Sequence, residues 1–341
     1  MNRYLHRPVE PPAFDSRQTV AELVEKLGHT SFQARNLARA ADIWSRMLRS
    51  RVTIFFGLAG AMVPAGMRKL MVHLIERRMI DCLVSTGANL FHDLHETLGR
   101  PHFQGTPYAN DRELARANVD RIYDVFVSEG EISRSDEFIT AFTNTLDDSR
   151  PMTTREYFHR LGLYLQDHAV EEGILTSAAR AGVPVYCPAF GDSVYGMAVA
   201  AGRVKGENNL QFDIIRDVIE MVRITIDSPA TGVIYIGGGT PKNYIQQSEV
   251  ASYIFQTKLE GHSYAIQITT DAPYWGGLSG CTFEEAQSWK KIAPRAKSVT
   301  VYADATIALP VIVAAVTEKQ ETAIRKRRPP AFDFERERVI V

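Results

Sequence analysis

Cysteine is scarce. Cys82, Cys187 and Cys281 are the three in 341 residues, they lie far apart, and no CxxC pair occurs. This pattern excludes a disulfide framework and a zinc ribbon, and it points to a reducing compartment. Long apolar runs are missing as well. No uncharged apolar stretch reaches the roughly 18 residues that a membrane-spanning helix needs, and residues 1–14, MNRYLHRPVEPPAF, lack the apolar region of a secretory signal. Neither sign of charge is in excess. The 39 Lys and Arg against 40 Asp and Glu leave a net charge of −1, which argues against bulk electrostatic binding to nucleic acid or membrane. The scattered histidines show no metal-ligand spacing, so no metal is expected, and no GxSxG, HExxH, P-loop or kinase signature appears. The remaining composition, 45% hydrophobic and 23% charged, is that of an ordinary globular chain. A soluble, cytoplasmic protein with a sizeable core is the expectation.

Against these absences stands a regular alternation. Short β-rich runs are predicted as strands at 51–56 (RVTIFF), 80–85 (IDCLVS), 183–187 (VPVYC), 232–236 (GVIYI), 264–269 (YAIQIT) and 298–302 (SVTVY). Several are apolar nearly throughout, as strands buried on both faces of a parallel sheet are. Helical spacing follows at 66–78, 213–226 and 305–316. Strand–helix alternation predicts a doubly wound α/β fold. Residues 107–178 interrupt it with three helical patterns, at 110–128, 135–146 and 153–168, the last opened by a Thr153/Glu156 capping box. The expected organisation is an N-terminal arm and helices over 1–50, a catalytic α/β domain over 51–317 with an all-helical insertion at about 107–178, and a charged tail over 318–341. The tail reads as a solvated or partner-draped extension.

Five strand ends carry candidate chemistry. VIYIGGGTPKNYI (233–245) runs a buried strand into Gly237–Gly239 and then a helix, which suits the approach of a phosphate to backbone amides at a helix N-terminus, although it is not the GxGxxG fingerprint. A tight structural turn is the competing reading. VSTGANLFHD (84–93) would turn Ser85, Thr86, Gly87 and Asn89 towards the crevice beyond the strands. In CPAFGDSVYG (187–196), Asp192 suits a helix N-cap or a ligand. YWGGLSGCTFEEAQSWKKI (274–292) joins a Gly-rich loop to a Thr282/Glu285 capping box and to Lys290 and Lys291 beside Trp289. A lysine desolvated by such neighbours can act as an amine nucleophile, whereas two solvated helix residues would do nothing of the kind. Asp304 in VYADAT (301–306) sits at the last strand end, placed to cap a helix or bind a hydroxyl.

Taken together, SWKKI preceded by IGGGTPKNYI and followed by VYADAT resembles the deoxyhypusine synthase family, with motif order and spacing matching over about residues 50–317. The resemblance implies a Rossmann-like NAD-binding fold, a homotetramer with active sites between subunits, and the catalytic lysine at Lys291 rather than Lys290. It implies NAD contacts at Thr86, Gly87, Ala88, Asp192, Gly238, Gly239, Thr270, Gly276, Gly277, Ser279, Asp304 and Ala305, and polyamine contacts at Asn243, Glu285 and Trp289. The implied chemistry is transfer of an aminobutyl group from spermidine, with NAD as a catalytic redox cofactor and no metal. Several positions depart from the family pattern. Its T-S-N loop is Leu58–Ala61 here, its paired glutamates are Phe91 and His92, a catalytic histidine is Asn243, and two polyamine-binding aspartates are Met197 and Leu278. These departures resemble the deoxyhypusine-synthase-like branch that includes homospermidine synthases. The leading expectation is therefore a small amine, putrescine, as acceptor. A translation-factor lysine is the alternative, and an inactive NAD- or polyamine-binding homologue is a third.

Overall fold

The computed structural model of the chain describes residues 7–336 and the backbone of 338–340. Six strands form a parallel sheet: β1 (Thr53–Leu58), β2 (Cys82–Ser85), β3 (Val185–Tyr186), β4 (Thr231–Ile236), β5 (His262–Thr269) and β6 (Ile292–Tyr302). Their spatial order is β3-β2-β1-β4-β5-β6. The order reverses between β1 and β4, which is the switch point of a doubly wound, Rossmann-like sheet. Side-chain alternation explains why helices cover both faces. Ile54, Phe56 and Leu58 of β1 join Ile234, Ile236, Ile266 and Ile268 in one core, while Phe55 joins Val233, Tyr235 and Ala265 in the other.

All six expected strands and the α/β class are present. Differences fall at the ends and in the insertion. Strand β6 begins at Ile292, directly after Lys291, because an irregular pairing carries it past Ser298 down to His262. The helix expected from Gly66 starts at Arg68, since Gly66 is left-handed (φ 84°) and closes a wide turn over Val63–Met67. The last long helix runs Ala305–Lys326, well beyond Val316, and carries Pro310 within it.

The all-helical reading of the insertion needs correction at 110–128. Only Asp111–Arg116 is helical there. Asn118 and Tyr123 adopt positive φ, and Val119–Ile122 pairs antiparallel with Val125–Ser128, whose other side takes Phe103–Gln104. The β-branched and aromatic residues of VDRIYDVFVS favour this hairpin over a helix. The other two insertion helices form at Glu129–Thr143 and Thr154–Gln166. Thr153 caps the latter by accepting from the Glu156 amide (3.0 Å), but the Glu156 carboxylate goes to Arg150 and Arg160, so only half of the capping box exists.

The charged C-terminal segment is not a solvated extension. Arg327 is buried, and its guanidinium donates to both carboxylate oxygens of the fully buried Asp81 (2.8 and 2.5 Å) and to the carbonyls of Arg78 and Val52. Beyond it, Ala331–Asp333 pairs with Arg338–Ile340, and the Phe334 ring lies 3.9 Å beneath the Arg155 guanidinium.

Candidate active site

The strand-end motifs share one edge of the sheet, the carboxyl edge at which doubly wound proteins bind ligands. After β4 the chain turns through Gly237 (φ 67°), Gly238 and Gly239 (φ 55°) into the helix Gly239–Val250. The first and third glycines occupy left-handed space that other residues enter only with strain. The second is required by proximity, because a Cβ on Gly238 would lie 2.5 Å from the Ser279 Cα. Ser279 Oγ in turn accepts from the Gly239 amide (3.2 Å). The glycine turn and the loop over 276–281 are thus in direct contact.

Beneath this contact lies a pair of residues that sequence reasoning passes over. Lys242 is 1% exposed. Its ammonium donates to Gln267 Oε1 (2.9 Å) and to the Cys281 carbonyl (2.6 Å). Gln267 Nε2 donates to the carbonyls of Gly237 (2.8 Å) and Ser279 (2.7 Å). Burial pushes the Lys242 ammonium down to about 8. One sequence signal pointed here: Gln267 is the polar residue inside the otherwise apolar run YAIQI, and a buried amide demands partners.

Lys291 and Lys290 are not neighbours on a helix, as expected from the sequence. The helix Phe283–Ser288 ends at Trp289, Lys290 turns left-handed (φ 59°), and Lys291 leads into β6 with its carbonyl accepting from the His262 amide (3.1 Å). The reversal separates the two side chains. Lys290 is exposed, whereas Lys291 is half-buried and its Nζ donates to Asn243 Oδ1 (3.2 Å), 5.8 Å from the Trp289 ring centre. Lys291, Asn243 and Trp289 are therefore brought together. Glu285 is exposed on the same short helix, whose cap Thr282 accepts from the Glu285 amide (3.1 Å).

The remaining strand ends divide into tethers and open groups. Thr86 caps the helix Gly87–Thr97. Ser85 and Asn89, expected in the crevice, are buried. Ser85 donates to the Leu58 carbonyl, and Asn89 ties the loop after β1 through Gly60 O and the Val63 amide. Gly87 is needed for a close approach, since a Cβ there would meet Ser193 Cβ at 2.2 Å. Ser193, not Asp192, is the N-cap of the following helix, and Asp192 and Ala88 stay exposed. Thr270, Gly276 and Gly277 are exposed on the loop after β5. Asp304 caps the helix beginning at Ala305, accepting from the Thr306 amide and hydroxyl, and these bonds hold its carboxyl below the usual range. It lines a cavity of about 720 Å³ with Ala61 and Pro64 of the loop after β1 and with Tyr123 and Asp124 of the insertion hairpin.

The departure positions also have places. Phe91 is core, while Met197 and Leu278 are exposed. His92 joins His102 (2.9 Å), which pairs with Glu96 (2.7 Å). Burial, with His102 adding to it, pushes His92 and His95 down to about 4. Among the described residues no group of three or more His, Cys, Asp or Glu is placed to hold a metal ion, and no helix is long and apolar enough to cross a membrane.

A turn with two left-handed glycines opening on a helix N-terminus is a shape that favours a phosphate, although the Gly237 and Gly239 amides are already given to the Ile268 carbonyl and Ser279 Oγ. Asp304 and Thr86 offer oxygens of the kind that bind ribose hydroxyls. The shape is compatible with the cofactor implied by the sequence motifs. The family model for deoxyhypusine synthase matches residues 22–316. A Methanosarcina acetivorans protein named "Probable deoxyhypusine synthase 2" is 48% identical over 97% of this chain and 95% of its own length. The chain belongs to the deoxyhypusine synthase family. Its similarity extends to a Coxiella burnetii "Deoxyhypusine synthase-like protein", 38% identical over 88% of this chain and 85% of that one. A solved Entamoeba histolytica structure, described as "a putative deoxyhypusine synthase", superposes with a TM-score of 0.61 at 21% identity, over 90% of this chain and 96% of that one, so the fold is shared. The deoxyhypusine synthase family comprises aminobutyl transferases, which makes this chain a transferase by membership.

Proposed function

We propose that the protein is an NAD-dependent aminobutyl transferase that takes its group from spermidine and hands it to a small diamine, putrescine, giving homospermidine. The observation that carries this reading is the Lys291 amine held against Asn243 Oδ1, with a tryptophan face beside it. Bound at the glycine turn, NAD would accept one hydride from spermidine and later return it, so the net reaction is a transfer without net oxidation.

The chain's residues do the rest. Lys291 adds to the imine carbon of oxidised spermidine, 1,3-diaminopropane leaves, and the butylamine stays on Nζ as an imine. The acceptor amine then displaces Lys291 before reduction. Asn243 accepts a hydrogen from Nζ and so orients the nitrogen lone pair. Trp289 offers a π face and Glu285 a carboxylate to the ammonium groups of the polyamine. Thr86, Gly87, Ala88, Asp192, Gly238, Gly239, Thr270, Gly276, Gly277, Ser279, Asp304 and Ala305 form the proposed dinucleotide site. Tyr274, Trp275 and Trp289 are 78%, 71% and 64% exposed, an aromatic rim suited to closure by a second subunit of a homotetramer.

The replacement of two family aspartates by Met197 and Leu278 supports a small acceptor bound in a different way. A second reading, transfer to a lysine of a translation factor, is favoured by the names of the archaeal relatives. Incubation with spermidine, NAD and putrescine should yield homospermidine and 1,3-diaminopropane by mass spectrometry. Labelling of a translation-factor lysine without homospermidine would replace the first reading with the second.

A further inference from the structure

We propose that Lys242 and Gln267 are positioning residues that clamp the glycine turn to the Ser279–Cys281 loop and so fix the separation of the two walls of the dinucleotide cradle. The functional consequence rests on the proposed cofactor site, whereas the clamp itself can be measured without any ligand.

Both amide donors of Gln267 are spent. Gln267 sits in β5 between the buried Ile266 and Ile268, where an unbonded amide would be costly. Its Oε1 accepts from Lys242 Nζ, and its two N–H donors are spent on Gly237 O and Ser279 O. Both of those acceptors are carbonyls, so the amide can face only one way. Lys242 spends a second N–H on Cys281 O and lies 5.8 Å from the Phe283 ring centre. Three segments remote in sequence, the turn at 237, the strand at 267 and the loop at 279–281, are thus joined through two side chains.

Lys242 cannot itself be a nucleophile, because it is buried and its nitrogen is committed. A neutral amine keeps the two N–H donors that the clamp uses, so the lowering of its ammonium by burial does not undo the clamp. The next residue on the helix is Asn243, which holds Lys291.

The test uses Gln267→Glu and Lys242→Met in the full-length protein. Gln267→Glu keeps the acceptor for Lys242 and loses both donations to the loop carbonyls. Lys242→Met keeps the bulk and loses both bonds of the ammonium. For each variant we expect amide hydrogen exchange over 276–282 to rise about tenfold relative to wild type with the exchange of β1 and β4 unchanged, and NAD to bind about tenfold more weakly by calorimetry. With Gln267→Glu, the KM for NAD should rise while kcat at saturating NAD stays within about threefold, a split that general destabilisation would not produce. Wild-type exchange over 276–282 in Gln267→Glu overturns the clamp, whatever becomes of Lys242→Met. Raised exchange in a protein that never binds NAD would keep the clamp and sink the cofactor reading.

Discussion

Asn243 Oδ1 and Lys291 Nζ lie 3.2 Å apart although 48 residues separate them in sequence. One residue belongs to the first turns of the helix that follows β4, and the other precedes β6, so the contact spans the half of the sheet that bears the glycine turn. It also distinguishes Lys291 from its neighbour.

Lys291→Ala should abolish product formation and leave NAD binding within about twofold, since the amine is absent from the glycine cradle. Lys290→Ala should keep near-wild-type turnover, because that residue is exposed and left-handed. Reduction with borohydride in the presence of spermidine and NAD, followed by peptide mass mapping, should place the added butylamine on Lys291. Equal loss from both variants would contradict the geometry.

Gly238→Ala tests the cradle from its other side. A methyl group there meets Ser279 Cα and Oγ at 2.5 and 2.9 Å, so the 276–281 loop must move outwards. NAD affinity should fall by roughly tenfold, equivalent to about 1.4 kcal/mol, and the melting temperature of the ligand-free protein should fall as well, because the displaced loop takes the Ser279 and Cys281 carbonyls away from Gln267 and Lys242. Calorimetric titration provides the check.

Arg327→Ala should lower stability by at most about 3–5 kcal/mol, the usual cost of breaking a buried ion pair, because Arg78 (3.5 Å) and the Ile54 amide stay with the carboxylate. Asp81 is fully buried and loses both guanidinium bonds, and two backbone carbonyls lose donors in the same step. Urea denaturation at pH 7 reads the loss directly. A double variant, Asp81→Asn with Arg327→Met, should recover part of it.

The histidines beside the crevice give the protein a weakness towards acid. His92 and His95 are held down to about 4 in the folded state, chiefly by burial, against an unfolded value near 6.5. Between those limits the unfolded chain binds more protons, so stability rises with pH. The contribution is complete above about pH 6.5 and is lost as pH falls towards 4. His102, Glu96, Arg100 and Ser135 surround the pair. Chemical denaturation across this range should show a steeper slope for wild type than for His95→Asn.

The sheet was legible because its signal is compositional. Val, Ile, Phe and Tyr in short runs, each closed by small residues, mark strands buried on two faces. Strand ends and glycine turns then locate the ligand edge without knowledge of any contact. Two things were not legible for physical reasons. The segment 119–128 mixes charged with β-branched residues at spacings that suit a helix as well as a hairpin, and its pairing is settled by the turn at Tyr123–Asp124. Lys242 drew no notice in the sequence because its partners, Gln267 and Cys281, are 25 and 39 residues away. Residue type alone could not distinguish it from an exposed lysine, just as it could not show that Lys290 and Lys291 diverge across a left-handed turn.

The Asp81 carboxylate, finally, has one guanidinium neighbour three residues upstream, Arg78 at 3.5 Å, and another 246 residues downstream. On the ribosome, β1 and β2 emerge early with only Arg78 and the Ile54 amide to receive that charge. Arg327, which supplies the two shorter bonds, is synthesised only after every strand of the central sheet is complete. Truncations that remove Arg327 should therefore leave this corner half-paired and accumulate as chaperone-bound or proteolysed species, even though the whole candidate active site has been made.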